Sequence, residues 1–110
     1  MQLSVIKMAY IIRLSRPAFK ILKLFLEEPS EPKSGAEISR LLSISSGTMY
    51  PLLARFENAG WLTSTWESID PGKAGRPRRR FYKLTPLGQN CASKELAQLQ
   101  TTPGALVWNT

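Results

Sequence analysis

Between residues 72 and 83 the sequence reads GKAGRPRRRFYK, six cationic side chains with no acid among them. Lys73, Arg76, Arg78, Arg79, Arg80 and Lys83 are six of the fifteen basic residues, and the other nine offset the eight acids to within one charge. The formal net charge of +7 is therefore local, a positive patch on an otherwise balanced body. Such a patch attracts a polyanion, either nucleic acid or an acidic membrane surface. The membrane alternative is the weaker one, because neither a long apolar segment nor a lipidation motif accompanies the patch. The opening MQLSVIKMAYIIRL is apolar but interrupted by Lys7 and Arg13, and no small-residue cleavage site follows it. A soluble, cytoplasmic protein is expected.

Catalytic equipment is sparse. The chain has no histidine and a single cysteine, Cys91. That excludes an intramolecular disulfide, a zinc-finger ligand set and every histidine-based triad. The carboxylates fall mostly on predicted helix surfaces and ends, and adjacent Glu27 and Glu28 point in different directions from a helix. No enzyme, metal site or cofactor is expected; what remains is binding.

At 110 residues, with 43% hydrophobic and 21% charged side chains, the chain is expected to fold as one domain with a modest core. Residues 1–14 support two readings. Their Val and Ile content favours strand, whereas Leu3, Ile6, Tyr10 and Leu14 fit a helical stripe, the reading preferred here. Pro17 suits the first turn of a helix running to about Glu28, with Ala18, Ile21, Leu22, Phe25 and Leu26 on one face. EPSEPKSG reads as a linker, because two prolines oppose continuation. In SGAEISRLL, Ser34 and Glu37 have capping-box spacing, and Ala36, Ile38, Leu41 and Leu42 supply a buried side. After a break at SIS, a longer helix is predicted from about Ser46 to Ala59, stopped by Gly60.

Two helices joined by so short a turn form a helix-turn-helix. WLTSTWES and RRRFYKLT then carry strand patterns around the turn chemistry of DPGKAGRP, so a β-hairpin follows, in the position of a wing. A disordered basic tail would not be bracketed by two strand patterns. The arginines therefore sit on a shaped tip, with Arg76, Arg78 and Arg80 favoured over Arg79 as the ones that face a ligand. Thr85 and Pro86 restart a helix as cap and first residue, continuing to about Gln100. Trp61 and Trp66 are expected to cover the junction of wing and helices. Cys91 shares a face with Leu87 and is expected to pack as a small apolar side chain.

The longer helix can be divided by angle. Met49, Leu52, Leu53 and Phe56 centre on one side; Gly47, Pro51, Ala54 and Asn58 centre on the opposite side. Thr48 and Arg55 share one shoulder, Tyr50 and Glu57 the other. Small residues on an exposed face allow close approach, and a DNA major groove is wide enough to admit such a helix. Ser46 and Thr48 lie near its N-terminus, where amide ends favour an anion. Ser45 and Ser46 either cap alone or cap and also touch phosphate. Arg55 either contacts DNA or forms a solvated pair on the helix. Pro51 is expected to stiffen the helix start.

GTMYPLL, AGWL, GRPR and YKLTPLG, in that order, give the chain its family likeness: from about residue 17 to 90 it resembles the PadR-like winged-helix transcriptional regulators. The resemblance implies a homodimer that binds double-stranded DNA, and it places Tyr50 at the DNA backbone. Larger family members add a helical C-terminal region used for dimerisation and in some cases for effector binding; only one helix is expected after the wing here. In some relatives a tryptophan stacks flat drug-like molecules, but no residue pattern here supports an effector.

The expected architecture is mainly α with a β-hairpin wing, a winged helix-turn-helix dimerised through terminal helices. Its parts are an apolar segment and dimer arm at 1–16, the DNA-binding domain at 17–85, a dimerisation helix at 86–100 and a tail at 101–110. DNA contacts are expected from Ser45, Ser46, Thr48, Tyr50 and Arg55 on a recognition helix in the major groove. Lys73, Arg76, Arg78 and Arg80 would add wing contacts on the backbone or minor groove. Ala92, Leu96 and Leu99 form a second apolar set on the last helix and are expected at the dimer interface. A repressor is the simplest regulator of this kind. The alternatives are a winged helix that docks an acidic protein and a nonspecific architectural DNA binder.

Overall fold

The computed structural model describes residues 15–101, with side chains as far as residue 98. The apolar segment 1–14, the tail from residue 102 and the Leu99 side chain lie outside the described residues. Ser15 opens the first helix, α1 (Arg16–Glu27), with its hydroxyl accepting the Ala18 N–H at 3.4 Å and with Pro17 in the first turn. Ala18, Ile21, Leu22 and Phe25 form the buried face of α1, as the spacing predicts, while Leu26 is only half-buried.

The segment expected to be a plain linker contains a two-residue strand, β1 (Lys33–Ser34). So short a strand has no periodicity to read; it exists because its backbone bonds to a strand far along the chain. Ser34 ends β1 and caps α2 (Gly35–Leu42), accepting the Glu37 N–H at 3.1 Å. The helix-turn-helix break lies at Ser43, whose φ of 54° is left-handed. Ser39 closes it by donating its hydroxyl to the Ile44 carbonyl at 2.6 Å and accepting the Ile44 N–H on its own carbonyl at 3.2 Å.

Helix α3 (Ser46–Asn58) follows and ends in a Schellman turn. The Gly60 N–H bonds to the Glu57 carbonyl at 3.0 Å and the Trp61 N–H to the Phe56 carbonyl at 2.8 Å, with Gly60 at φ 82°. Strands β2 (Leu62–Trp66) and β3 (Arg80–Leu84) pair antiparallel, joined through a one-turn helix, α4 (Pro71–Ala74). The sheet order is β1-β3-β2, so β3 is central. The register sets Leu62 opposite Leu84, Ser64 opposite Tyr82 and Trp66 opposite Arg80, while Lys33 lies across β3 from Tyr82.

The last helix, α5 (Pro86–Thr101), is locked to the turn after α3 by Thr85. Its hydroxyl donates to the Gly60 carbonyl at 2.6 Å and accepts the Gly88 N–H at 2.9 Å. Phe25, Phe56, Ile21, Leu22, Ile38, Met49 and Leu53 are fully buried, and Phe56 stacks on Trp61 at 5.7 Å between ring centres. Each such side chain contributes about 1.5–3 kcal/mol, against about 0–1 kcal/mol for an exposed ion pair, so this core and not the surface charge holds the fold.

Three sequence expectations change here. Of the residues expected to bury α2, Ile38 is buried and Leu42 half-buried, but Ala36 and Leu41 are exposed. Ala92 was expected at a partner surface, but it is 0% exposed inside the chain's own core, where α5 packs on α1. Leu96, of the same set, is half-buried, and it is Leu87 that stands 52% exposed. The two apolar sets of α5 are therefore split: Ala92 and Cys91 pack on the core, as expected for Cys91, whereas Leu87 does not. Trp66 was expected to cover the wing junction with Trp61. Trp61 is buried, whereas Trp66 is 61% exposed at the far end of β2.

Candidate nucleic-acid interface

The burial of α3 divides it by angle. Met49, Leu52, Leu53 and Phe56 are buried; Ser46, Gly47, Thr48, Tyr50, Pro51, Ala54, Arg55 and Asn58 are exposed. At its N-terminus the Ser45 side chain makes no cap bond to an amide. Its hydroxyl instead donates to Thr48 Oγ1 at 3.2 Å, while its carbonyl accepts the Thr48 and Met49 N–H groups at 3.1 and 2.9 Å. The Ser46 and Gly47 amides of α3 thus receive no side-chain cap from Ser45, and a helix end in that state favours an anion. Pro51 lies in the second turn, inside the helix, and not at its start. It lacks the N–H that would reach the Gly47 carbonyl.

Tyr50 is 46% exposed and lies against Gly35 at the N-terminus of α2, where a β-carbon on Gly35 would collide with the phenol ring. A cleft of about 380 Å³ is lined by Tyr50 of α3, by Gly35 and Ala36 of α2, and by Trp66, Arg78, Arg79, Arg80 and Tyr82 of the wing. The exposed shoulder of α3 and the arginines of the wing thus face one space. Tyr82 is buried beneath it; burial pushes its phenol up, an effect partly opposed by the nearby Arg80 charge.

The wing tip is shaped by its own charges. Glu67 and Arg76 form a two-pronged pair, Nη1 to Oε1 at 2.7 Å and Nη2 to Oε2 at 2.9 Å. Glu67 also accepts the Arg79 N–H at 3.2 Å and donates its own N–H to the Arg79 carbonyl at 2.8 Å. The Arg76 hydrogen bonds hold the Glu67 carboxyl at about 2, well below its ordinary 4.5, and the same contact raises the Arg76 guanidinium. Asp70 caps α4 through the Gly72 and Lys73 N–H groups, and Gly75 ends it at φ 70°. Arg78 Nε donates to the Ile69 carbonyl at 3.0 Å.

These contacts redistribute the arginines expected to meet a ligand. Arg76 was expected at the outer tip, but its guanidinium is turned inward on Glu67, the residue just past β2 whose backbone pairs with Arg79. Arg80 is turned toward α3, with Nε on Ser64 Oγ at 2.9 Å and Nη2 3.4 Å from the Glu57 carboxylate. Arg79, the one set aside, has an exposed side chain that forms no ion pair among the described residues, although its charge helps to lower the Glu67 carboxyl; Lys73, Arg78, Lys83 and Arg55 are likewise exposed and outside every ion pair described. Glu67, Glu57 and Ser64 did not stand out from the sequence. The available signal was hairpin register: an acid at the end of the first strand faces the basic run of the second.

The sequence model of the transcriptional regulator PadR-like family matches residues 32–94, more than half of the chain. The chain belongs to this family. By structure it is similar to a PadR-like transcription factor from Bacteroides fragilis, 27% identical over 76% of this chain and 79% of that one, with a TM-score of 0.64. A PadR-family transcriptional regulator from Eggerthella lenta is also 27% identical, over 74% and 72% of the two chains, with a TM-score of 0.60. A Streptococcus mutans protein is 30% identical over 82% and 88%, with a TM-score of 0.59. A comparison with curated proteins finds no match. In the PadR-like frame, α2 and α3 are the helix-turn-helix and β2 to β3 the wing of a DNA-binding transcriptional regulator. Among the described residues no helix is long and apolar enough to cross a membrane, and no three His, Cys, Asp or Glu side chains gather as a metal site.

Proposed function

We propose that this chain is a sequence-specific, dimeric, cytoplasmic repressor that lays α3 in the major groove and sets the wing on the flanking backbone or minor groove. The observation that carries the reading is the shared cleft, lined by both Tyr50 of α3 and Arg78 to Arg80 of the wing. Thr48 and Arg55 on the exposed shoulder of α3 are the base-reading candidates, and Ser45, Ser46 and Tyr50 the phosphate contacts. On the wing, Lys73, Arg78 and Arg79 supply phosphate neutralisation, because none of them forms an ion pair among the described residues. Arg76 and Arg80 act one step back by holding the wing in shape. Two-fold symmetry would space two α3 helices about one DNA turn apart, so the operator is expected to be partly palindromic.

The test is enrichment of duplexes from a random pool by the full chain. A two-fold motif with half-sites about 10 base pairs apart supports the reading. Salt-sensitive binding with no enriched motif would replace it with an architectural DNA binder, and no DNA binding by the folded protein would favour docking of an acidic protein partner.

A further inference from the structure

One carboxylate stands where a DNA-binding surface should disfavour it. Glu57, on the shoulder of α3 that it shares with Tyr50, is 30% exposed and points toward the base of the wing. Ser64, in the middle of β2, donates its hydroxyl to Glu57 Oε2 at 2.5 Å. Arg80, at the start of β3, donates Nε to the same Ser64 oxygen at 2.9 Å, and its Nη2 lies 3.4 Å from both Glu57 oxygens. The guanidinium carbon also stands 5.5 Å from the Trp66 ring centre and 5.8 Å from that of Tyr82. The Ser64 hydroxyl is thus used in both directions, and three side chains from α3, β2 and β3 form one closed bridge.

By charge alone, a carboxylate beside this cleft repels DNA, so its removal should tighten binding. By geometry, it is the only side chain of α3 among the described residues that is hydrogen-bonded to the wing strands. We propose that Glu57 is a positioning residue for DNA binding: through Ser64 and Arg80 it fixes the wing relative to α3, so that helix and wing meet one duplex together. The proposal rests on the DNA-binding reading above. The bridge is partly exposed, and exposed ion pairs add little to global stability, so its loss leaves the fold intact.

The two effects differ in sign, which makes the test direct. The probes are the duplex enriched by the wild-type chain and a scrambled duplex of equal length. Glu57→Ala and Ser64→Ala are each expected to weaken binding to the enriched duplex roughly three- to tenfold, with the double variant no weaker than the worse single one. Arg80→Lys, which keeps the charge but loses the planar fork, should show the same loss. Binding to the scrambled duplex and the melting temperature should change little. Equal or tighter binding of Glu57→Ala to the enriched duplex, or losses that simply add in the double variant, would overturn the proposal while leaving the DNA-binding reading in place. A wild-type chain that enriches no duplex would remove both.

Discussion

Gly47 is exposed on α3, its φ is not positive, and a β-carbon there would meet nothing within 4 Å. Neither backbone nor packing requires glycine, which in a helix is about 0.5–1 kcal/mol less favourable than alanine. On the proposed DNA-binding reading, a close external surface would supply the missing reason. Gly47→Ala is therefore expected to melt at the same or a slightly higher temperature while losing about tenfold in affinity for the enriched duplex, about 1.4 kcal/mol. Gly60 and Gly88 are glycines for the opposite reason. Gly60 holds φ 82° in the Schellman turn, and a β-carbon on Gly88 would overlap the Trp61 carbonyl oxygen. In urea unfolding, Gly60→Ala should cost about 1–2 kcal/mol, and Gly88→Ala more, since the obstacle is backbone and cannot rotate away. Gly60 was legible in the sequence as a helix stop, because the signal is local. The inward turn of Arg76 and Arg80 was not, because each depends on an acid brought near by the fold, Glu67 from across the hairpin and Glu57 from α3.

The wing is an element whose shape depends on one carboxylate. Glu67 titrates near 2 in the folded wing against an ordinary 4.5, so its contribution is complete above about pH 4.5 and is lost as pH falls toward 2. Amide exchange over residues 67–79 should accordingly rise across that window before the helices open. At neutral pH, Glu67→Gln should speed tryptic cleavage after Arg78 and Arg79 severalfold, with little change in the melting of the helical core; an unchanged cleavage rate would mean that Asp70 and the strand ladder suffice. The one-turn helix α4 carries the same cap-then-proline signature, Asp70 and Pro71, that marked Thr85 and Pro86 in the sequence. Its brevity hid it within turn chemistry. Strand β1 had no signal of its own, since two residues cannot show a period and their partners on β3 lie far along the chain.

Over the whole molecule, six cations gathered in one hairpin set where a polyanion docks, and the ion pairs set which of them are available to it. Composition showed the patch; only the folded hairpin shows that Arg76 and Arg80 are engaged and Arg79 is not. Arg79→Ala should therefore make the dependence of log affinity on log salt shallower by about 0.9, whereas Arg76→Ala should leave that slope nearly unchanged and loosen the wing. The same slope decides the central claim. Fluorescence anisotropy of the full chain with the enriched duplex and with a scrambled duplex, across a salt series, should show parallel slopes and a preference for the enriched duplex of at least about a thousandfold that persists as salt rises. Equal affinities for the two duplexes at every salt concentration would contradict a sequence-specific regulator.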